Sequence, residues 1–251
     1  MTIEAVDALR ADHASLAALA TELTPSEWSA PSACEGWSVR DVVSHMTQIF
    51  RQVVDPTSLP PRDPSGSSER TQDRWVEAMR PLATQDVLDD YLKLGEQAIA
   101  VLAGLQGSDG PIDLGDLGTH PLHLVANALA FDHYTHIRAD LLAPRGPLQH
   151  AVPSADAGHL GAVMDWMVAG YPQMNADELV WLDVPLALHL TGPGGRSVAV
   201  GPDGSAQADV WSSTADFVLW ATKREDWRQL DVRIAGDEAT AERFCDTIRV
   251  F

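Results

Sequence analysis

Apolar residues recur at helical spacing from the start of the chain. Val6, Leu9, Leu16, Leu19 and Leu23 within IEAVDALRADHASLAALATEL predict an amphipathic helix that Thr24-Pro25 ends. Ser38 is suited to cap a second helix, VRDVVSHMTQIFRQVV, with Asp41 at its third position in the manner of a capping box. DPTSLPPRDPSGSS, dense in Pro, Gly and Ser, reads as an exposed loop, and a helical segment follows around residues 73–79. Thr84 starts a long helix, QDVLDDYLKLGEQAIAVLAGL, which Gly107 ends, and QGSDGPIDLGDLG reads as loop. His120-Pro121 opens a last long helix over residues 120–142, with Pro in the first turn where its missing N–H costs nothing. Four long helices with loops between them predict an antiparallel bundle over residues 1–145.

APRGPLQHAVPSAD, with three prolines, reads as a linker, and after it the period changes. One helix, AGHLGAVMDWMVAGY, precedes four alternating segments: LALHLTG, RSVAVG, QADVWSS and QLDVRIAG. The glycine-rich turns GPGG and GPDG join the first three, which predicts a small antiparallel sheet. TADFVLWATKR and EATAERFCDTI read as helices between and after the strands. The fold class is α+β: a helical bundle, then a small α+β domain with an antiparallel sheet over residues 155–251.

Composition narrows the function. Apolar residues make up 45% of the 251, enough for a sizeable core. Lys and Arg number 17 against 36 Asp and Glu, a net charge of −19. Such a surface repels nucleic acid and anionic membranes, so neither is an expected partner. Two cysteines are too few for a disulfide framework or a zinc ribbon. The acidic start MTIEAVDALRADH has no basic leader or apolar signal core, and no run reaches the length of a membrane span. The expectation is a soluble cytoplasmic protein, monomeric or homodimeric.

Within the bundle, three histidines stand out: His45 in the second long helix, His133 and His136 in the last. Asp132 and His136 are four apart and share a helical face. A bundle builds metal sites from side chains on facing helices. One ligand from the second helix and two from the last would leave a coordination position open, as in a catalytic zinc site. Spacing alone leaves open whether Asp132 or His133 joins His136. It also leaves open a plain alternative, a core histidine and a solvated Asp–His pair.

CEGWSVRDVVSHM, residues 34–46, resembles the signature of the mycothiol-dependent maleylpyruvate isomerase family. The resemblance continues through TADFVLWATKR and DVRIAGDEATAERF. It implies a DinB-like four-helix bundle followed by a sterol-carrier-like α+β domain. It also implies a divalent metal, Zn²⁺ or another, held by His45, Asp132 and His136, and a functional arginine matching Arg224 that takes a substrate carboxylate. The implied partners are mycothiol, the low-molecular-weight thiol of actinobacteria, and a small electrophile such as an unsaturated keto acid. Two positions depart from the family pattern. Asp132 stands where the family usually has Glu, and Lys223-Arg224 where it commonly has Gly-Arg.

Metal coordination would drive the thiol to thiolate. The ligand set fits an isomerase or S-transferase. It also fits a hydrolase with metal-bound water, or a non-catalytic binding protein of the same fold. Asp41, one turn before His45, and Asp140, one turn after His136, are candidates to accept an imidazole N–H. Asp41 serves equally as a helix N-terminal charge. His133 reads as a boundary residue or proton shuttle, and His13 as a residue lining the same cavity. Cys34 lies beside a helix N-terminus but matches a structural position of the family, and Trp37 reads as a packing anchor. Met164, Met167 and Met174 read as packing.

Overall fold

In a computed structural model that describes residues 3–251, the chain forms two units, Met1–Ser154 and Ala155–Phe251. Met1 and Thr2 of the acidic N-terminal stretch lie outside the described residues.

Four long helices dominate the first unit: α1 (Ile3–Glu22), α3 (Val39–Val54), α5 (Thr84–Gly104) and α6 (Val125–Thr135). Between them come α2 (Pro25–Trp28) and α4 (Ser68–Met79). The apolar stripe of α3, Val39, Val42, Val43, Met46 and Phe50, is wholly buried. It packs on α5, which contributes Val87, Tyr91, Ala98 and Leu102. Helix α1 packs against α5 and α6 through Ala5, Leu9 and Leu16. The capping box at Ser38 is complete: its side chain accepts the Asp41 N–H, and the Asp41 carboxylate accepts the Ser38 N–H at 3.0 Å.

Three boundaries differ from the sequence reading. Pro25 begins α2 as well as ending α1, because Thr24 caps it with Glu27 in a second capping box. Helix α4 starts at Ser68, five residues early, because Ser67 accepts the Arg70 N–H. His120-Pro121 is not helical but belongs to β2 (Thr119–Pro121), paired with β1 (Pro111–Asp113). Gly115 and Gly118, at φ 72° and 97°, turn the chain between these strands, a conformation glycine takes without steric cost. The last bundle helix therefore runs only from Val125, and it closes in a π-helical turn, His136–Leu141.

The second unit starts with α7 (Ala157–Met174), capped by Asp156. Four strands follow: β3 (Leu186–Thr191), β4 (Arg196–Val200), β5 (Ala208–Ser213) and β6 (Arg233–Gly236), in the order β4-β3-β5-β6. Pairings β3–β4 and β5–β6 are antiparallel, whereas β5 runs parallel to β3. The GPDG turn does not close a hairpin. Residues 201–207 instead cross the start of β3, where Gln207 N–H bonds the Pro185 carbonyl, and deliver β5 to the far side. Leu186, Leu188, Leu190 and Val210 alternate onto the buried face, with Phe217 and Trp220 of α8 (Thr214–Ala221) and Phe244 of α9 (Glu238–Thr247). Among the described residues no helix is long and apolar enough to cross a membrane.

Candidate metal centre

The capped start of α3 fixes the rotation of that helix and turns His45 inward, where it is 5% exposed. Helix α6 presents Asp132, and the π-helical turn begins with His136. His45 Nε2 lies 2.9 Å from Asp132 Oδ1, and His136 Nε2 lies 3.5 Å from the same oxygen. The two imidazoles meet edge to face, centroids 4.8 Å apart. Three residues singled out in the sequence thus converge, one donor atom from each, all within 4.8 Å of one another.

The far nitrogens of both rings are held. His45 Nδ1 faces Gln72 Oε1 of α4 at 3.2 Å. His136 Nδ1 faces Asp140 Oδ2 at 2.8 Å, and the Asp140 side chain is 1% exposed. Amide and carboxylate oxygens only accept, so each Nδ1 donates and carries the proton. Each Nε2 then faces the Asp132 carboxylate: with a proton it donates to that oxygen, and without one it offers a lone pair to a cation held beside it. Burial opposes ionisation of Asp132, but His45, then His136, outweigh it and hold its carboxyl below the usual range. Its second oxygen, Oδ2, is buried with no hydrogen-bond partner among the described residues. Two imidazole Nε2 atoms and a carboxylate brought this close are a donor set that a divalent cation fits.

His133 packs its ring into the core, although its Nδ1 also lies 3.5 Å from Asp132 Oδ2. Its Nδ1 donates to the Leu129 carbonyl at 3.0 Å, and the ring packs on Phe50 and Tyr91, centroids 4.7 and 6.1 Å away. Burial depresses its pKa to about 4 despite the Asp132 charge, so the ring is neutral. His13 is also core: its ring lies 4.9 Å from Tyr91, and Gly95 of α5 leaves it room, since a Cβ there would sit 2.3 Å from its Nε2. Asp41 does not reach His45. It completes the helix cap and takes Arg80 at 3.4 Å, while Gln72 holds His45 instead.

Two further residues border the centre. Trp37 lies against both imidazoles, with centroids 5.1 Å from His45 and 6.5 Å from His136, and its Nε1 donates to Asp73. Cys34 Sγ, half-buried, is 3.7 Å from His136 Nδ1, so Cys34, His136 and Asp140 form a second possible donor group. The shorter contact to Asp140 takes the Nδ1 proton. The loop carrying Cys34 is tied to the π-helical turn by Ala33 N–H to the Asp140 carbonyl, 3.0 Å.

Arg224 belongs to the second unit. It follows Lys223, which closes α8 at φ 58°, and its N–H bonds the Leu219 carbonyl. It lines a cavity of 440 Å³ with Trp220, Lys223, Asp226, Arg228 and Asp246. Lys223 Nζ donates to the Cys245 and Asp246 carbonyls, and Arg228 grips the Asp246 carboxylate at 2.7 and 2.9 Å. Met164 and Met167 are buried in α7.

A family model described as the mycothiol maleylpyruvate isomerase N-terminal domain matches residues 9–142. No curated protein matches the chain. Two solved structures do. A histidine-to-alanine mutant of the mycothiol-dependent maleylpyruvate isomerase aligns at 13% identity with a TM-score of 0.54, over 92% of each chain. The mycothiol-dependent maleylpyruvate isomerase itself aligns at 13% identity with a TM-score of 0.52, over 90% of each chain. At that identity the structural likeness speaks for the fold.

Proposed function

The chain belongs to the family of the mycothiol maleylpyruvate isomerase N-terminal domain, and on that premise we propose that it is a mycothiol-dependent isomerase of a small unsaturated keto acid. We assign its divalent metal, Zn²⁺ in the first instance, to His45, Asp132 and His136. The observation that carries the assignment is the convergence of two imidazole Nε2 atoms, each ring pinned at its Nδ1, on one carboxylate oxygen. With three protein donors, a position stays open for an exogenous ligand. When bound, the metal and mycothiol supply a thiolate nucleophile at neutral pH.

The chain's own residues set the conditions. Gln72 and Asp140 keep the Nδ1 protons in place, so both Nε2 atoms stay available as donors. Asp132 contributes the single negative charge, and the set keeps a net positive charge with a divalent ion. Trp37 walls one side of the imidazole pair. Arg224 is the proposed clamp for a substrate carboxylate, because a planar guanidinium matches that group in two hydrogen bonds. The left-handed backbone at Lys223 supports its register, since glycine takes that conformation most cheaply and the family commonly has Gly before the arginine.

Three measurements test this reading. Protein purified without a His-tag is expected to carry close to one equivalent of metal and to be stabilised by mycothiol. Ligand at 100 times its Kd adds about 2.7 kcal/mol, readable as a thermal shift. Substoichiometric metal, or metal-loaded protein with no shift, would sink it. Asp140→Asn is expected to weaken metal affinity ~10–100-fold in chelator competition, the usual cost of losing a partner behind a ligand. An unchanged affinity would remove Asp140 from the assignment.

A further inference from the structure

The exposed face of the second unit's sheet carries another cluster. Strand register aligns four side chains in one row: Ser197 opposite His189, His189 opposite Trp211, Trp211 opposite Arg233. The neighbouring row on the same face holds Ala199, Ala187, Asp209 and Ala235, so small side chains flank the cluster. Within it His189 Nε2 lies 2.9 Å from Asp209 Oδ1, and His189 Nδ1 lies 2.9 Å from Ser197 Oγ. A carboxylate only accepts, so Nε2 donates to Asp209. In the neutral ring Nδ1 keeps its lone pair, and the Ser197 hydroxyl donates to it. Trp211 stacks on the imidazole, 5.0 Å between centroids and 17° between planes, and fixes the plane of the ring.

We propose that Ser197 is a nucleophile, with His189 as its base and Asp209 as the group that orients the base, and that it is acylated by esters with good leaving groups. Nucleophile, base and orienting group stand in hydrogen-bond reach in sequence, the arrangement that defines such a triad whatever the fold. Ser197 is exposed, so an ester can approach it. β4 is an edge strand, and alternate N–H groups along it face away from the ladder. Those N–H groups lie in the plane of the sheet whereas the Ser197 side chain stands out of it, so the proposed reaction uses no formed oxyanion hole. A missing oxyanion donor costs ~10²–10³ in rate, which is why the substrate class is activated esters rather than amides.

In the step, Ser197 Oγ bonds to the acyl carbon and its proton passes to His189 Nδ1. The carbon–oxygen bond to the leaving group breaks, and that oxygen departs with the proton. Water then gives a proton to His189 and its oxygen to the acyl carbon. The acid leaves and the Ser197 hydroxyl is restored. None of these residues belongs to the metal-facing cluster, so the inference stands apart from the isomerase reading.

The test treats the full chain with a fluorophosphonate probe, locates the label by peptide mass spectrometry, and follows p-nitrophenyl acetate hydrolysis. Label is expected on Ser197 and lost in Ser197→Ala. His189→Gln keeps hydrogen-bonding groups at the site but takes no proton, so labelling and hydrolysis are expected to slow at least ~100-fold without loss of thermal stability. No label on Ser197, or a rate unchanged in His189→Gln, overturns the proposal and leaves a static cross-strand hydrogen-bond ladder.

Discussion

His45→Ala is expected to lower divalent-metal affinity by more than ~100-fold while the bundle stays folded. Losing a partner behind a ligand already costs ~10–100-fold, and His45 is assigned as a ligand itself. Its Nε2 lies 2.9 Å from Asp132 Oδ1, against 3.5 Å for His136 Nε2. His133→Ala is the matched control. It removes a buried ring that packs on Phe50 and Tyr91, so it is expected to lower the melting temperature. Its Nδ1 is committed to the Leu129 carbonyl, so metal affinity is expected to hold. Chelator competition and thermal unfolding, run on both variants, separate the two histidines. The opposite pattern, affinity lost in His133→Ala and kept in His45→Ala, would overturn the assignment and make His133 and His136 the ligand pair.

That comparison shows what was legible in the sequence. The 3.6-residue period puts Asp132 and His136 on one face, and the Ser38 cap fixes where α3 begins, so the converging set could be read from spacing and resemblance together. Spacing does not say which way α6 is rotated, and Asp132 and His133 are neighbours. Only packing against Phe50 and Tyr91 turns His133 away. A helix beginning near residue 73 leaves Gln72 outside it, so the helical pattern alone does not bring Gln72 to His45. The signal was present in Ser67, whose side chain caps that helix. The link between the Cys34 loop and the π-helical turn is a backbone hydrogen bond between residues more than 100 apart, and no local pattern encodes it. In the second unit the alternation of Leu186, Leu188 and Leu190 gave β3, but its parallel pairing with β5 depends on where residues 201–207 cross, which GPDG suggests as a hairpin instead.

Asp12→Ala is expected to cost ~3–5 kcal/mol of stability, the penalty for breaking a buried ion pair from one side. Asp12 Oδ1 lies 2.8 Å from Arg138 Nη2, with side chains 1% and 9% exposed. Nothing in the helical pattern of α1 announced it, since Asp12 falls beside apolar Leu9 and Leu16. The guanidinium also lies over the Tyr134 ring at 4.4 Å and donates from Nε to the Pro153 carbonyl at 3.2 Å. Those contacts hold it in place, so it cannot swing into water when the carboxylate is removed, and a positive charge is left nearly buried. The double variant Asp12→Leu/Arg138→Met is expected to recover most of the loss, because apolar side chains of similar volume need no desolvated charge. Arg138 sits in the π-helical turn between His136 and Asp140, so this pair ties α1 to the turn that presents a proposed ligand. Asp12→Ala is therefore also expected to loosen metal binding, though less than His45→Ala does. Denaturant unfolding of both variants checks the energetic claim. A loss below ~1 kcal/mol in Asp12→Ala, the range of an exposed pair, would show that solvent already screens the interaction.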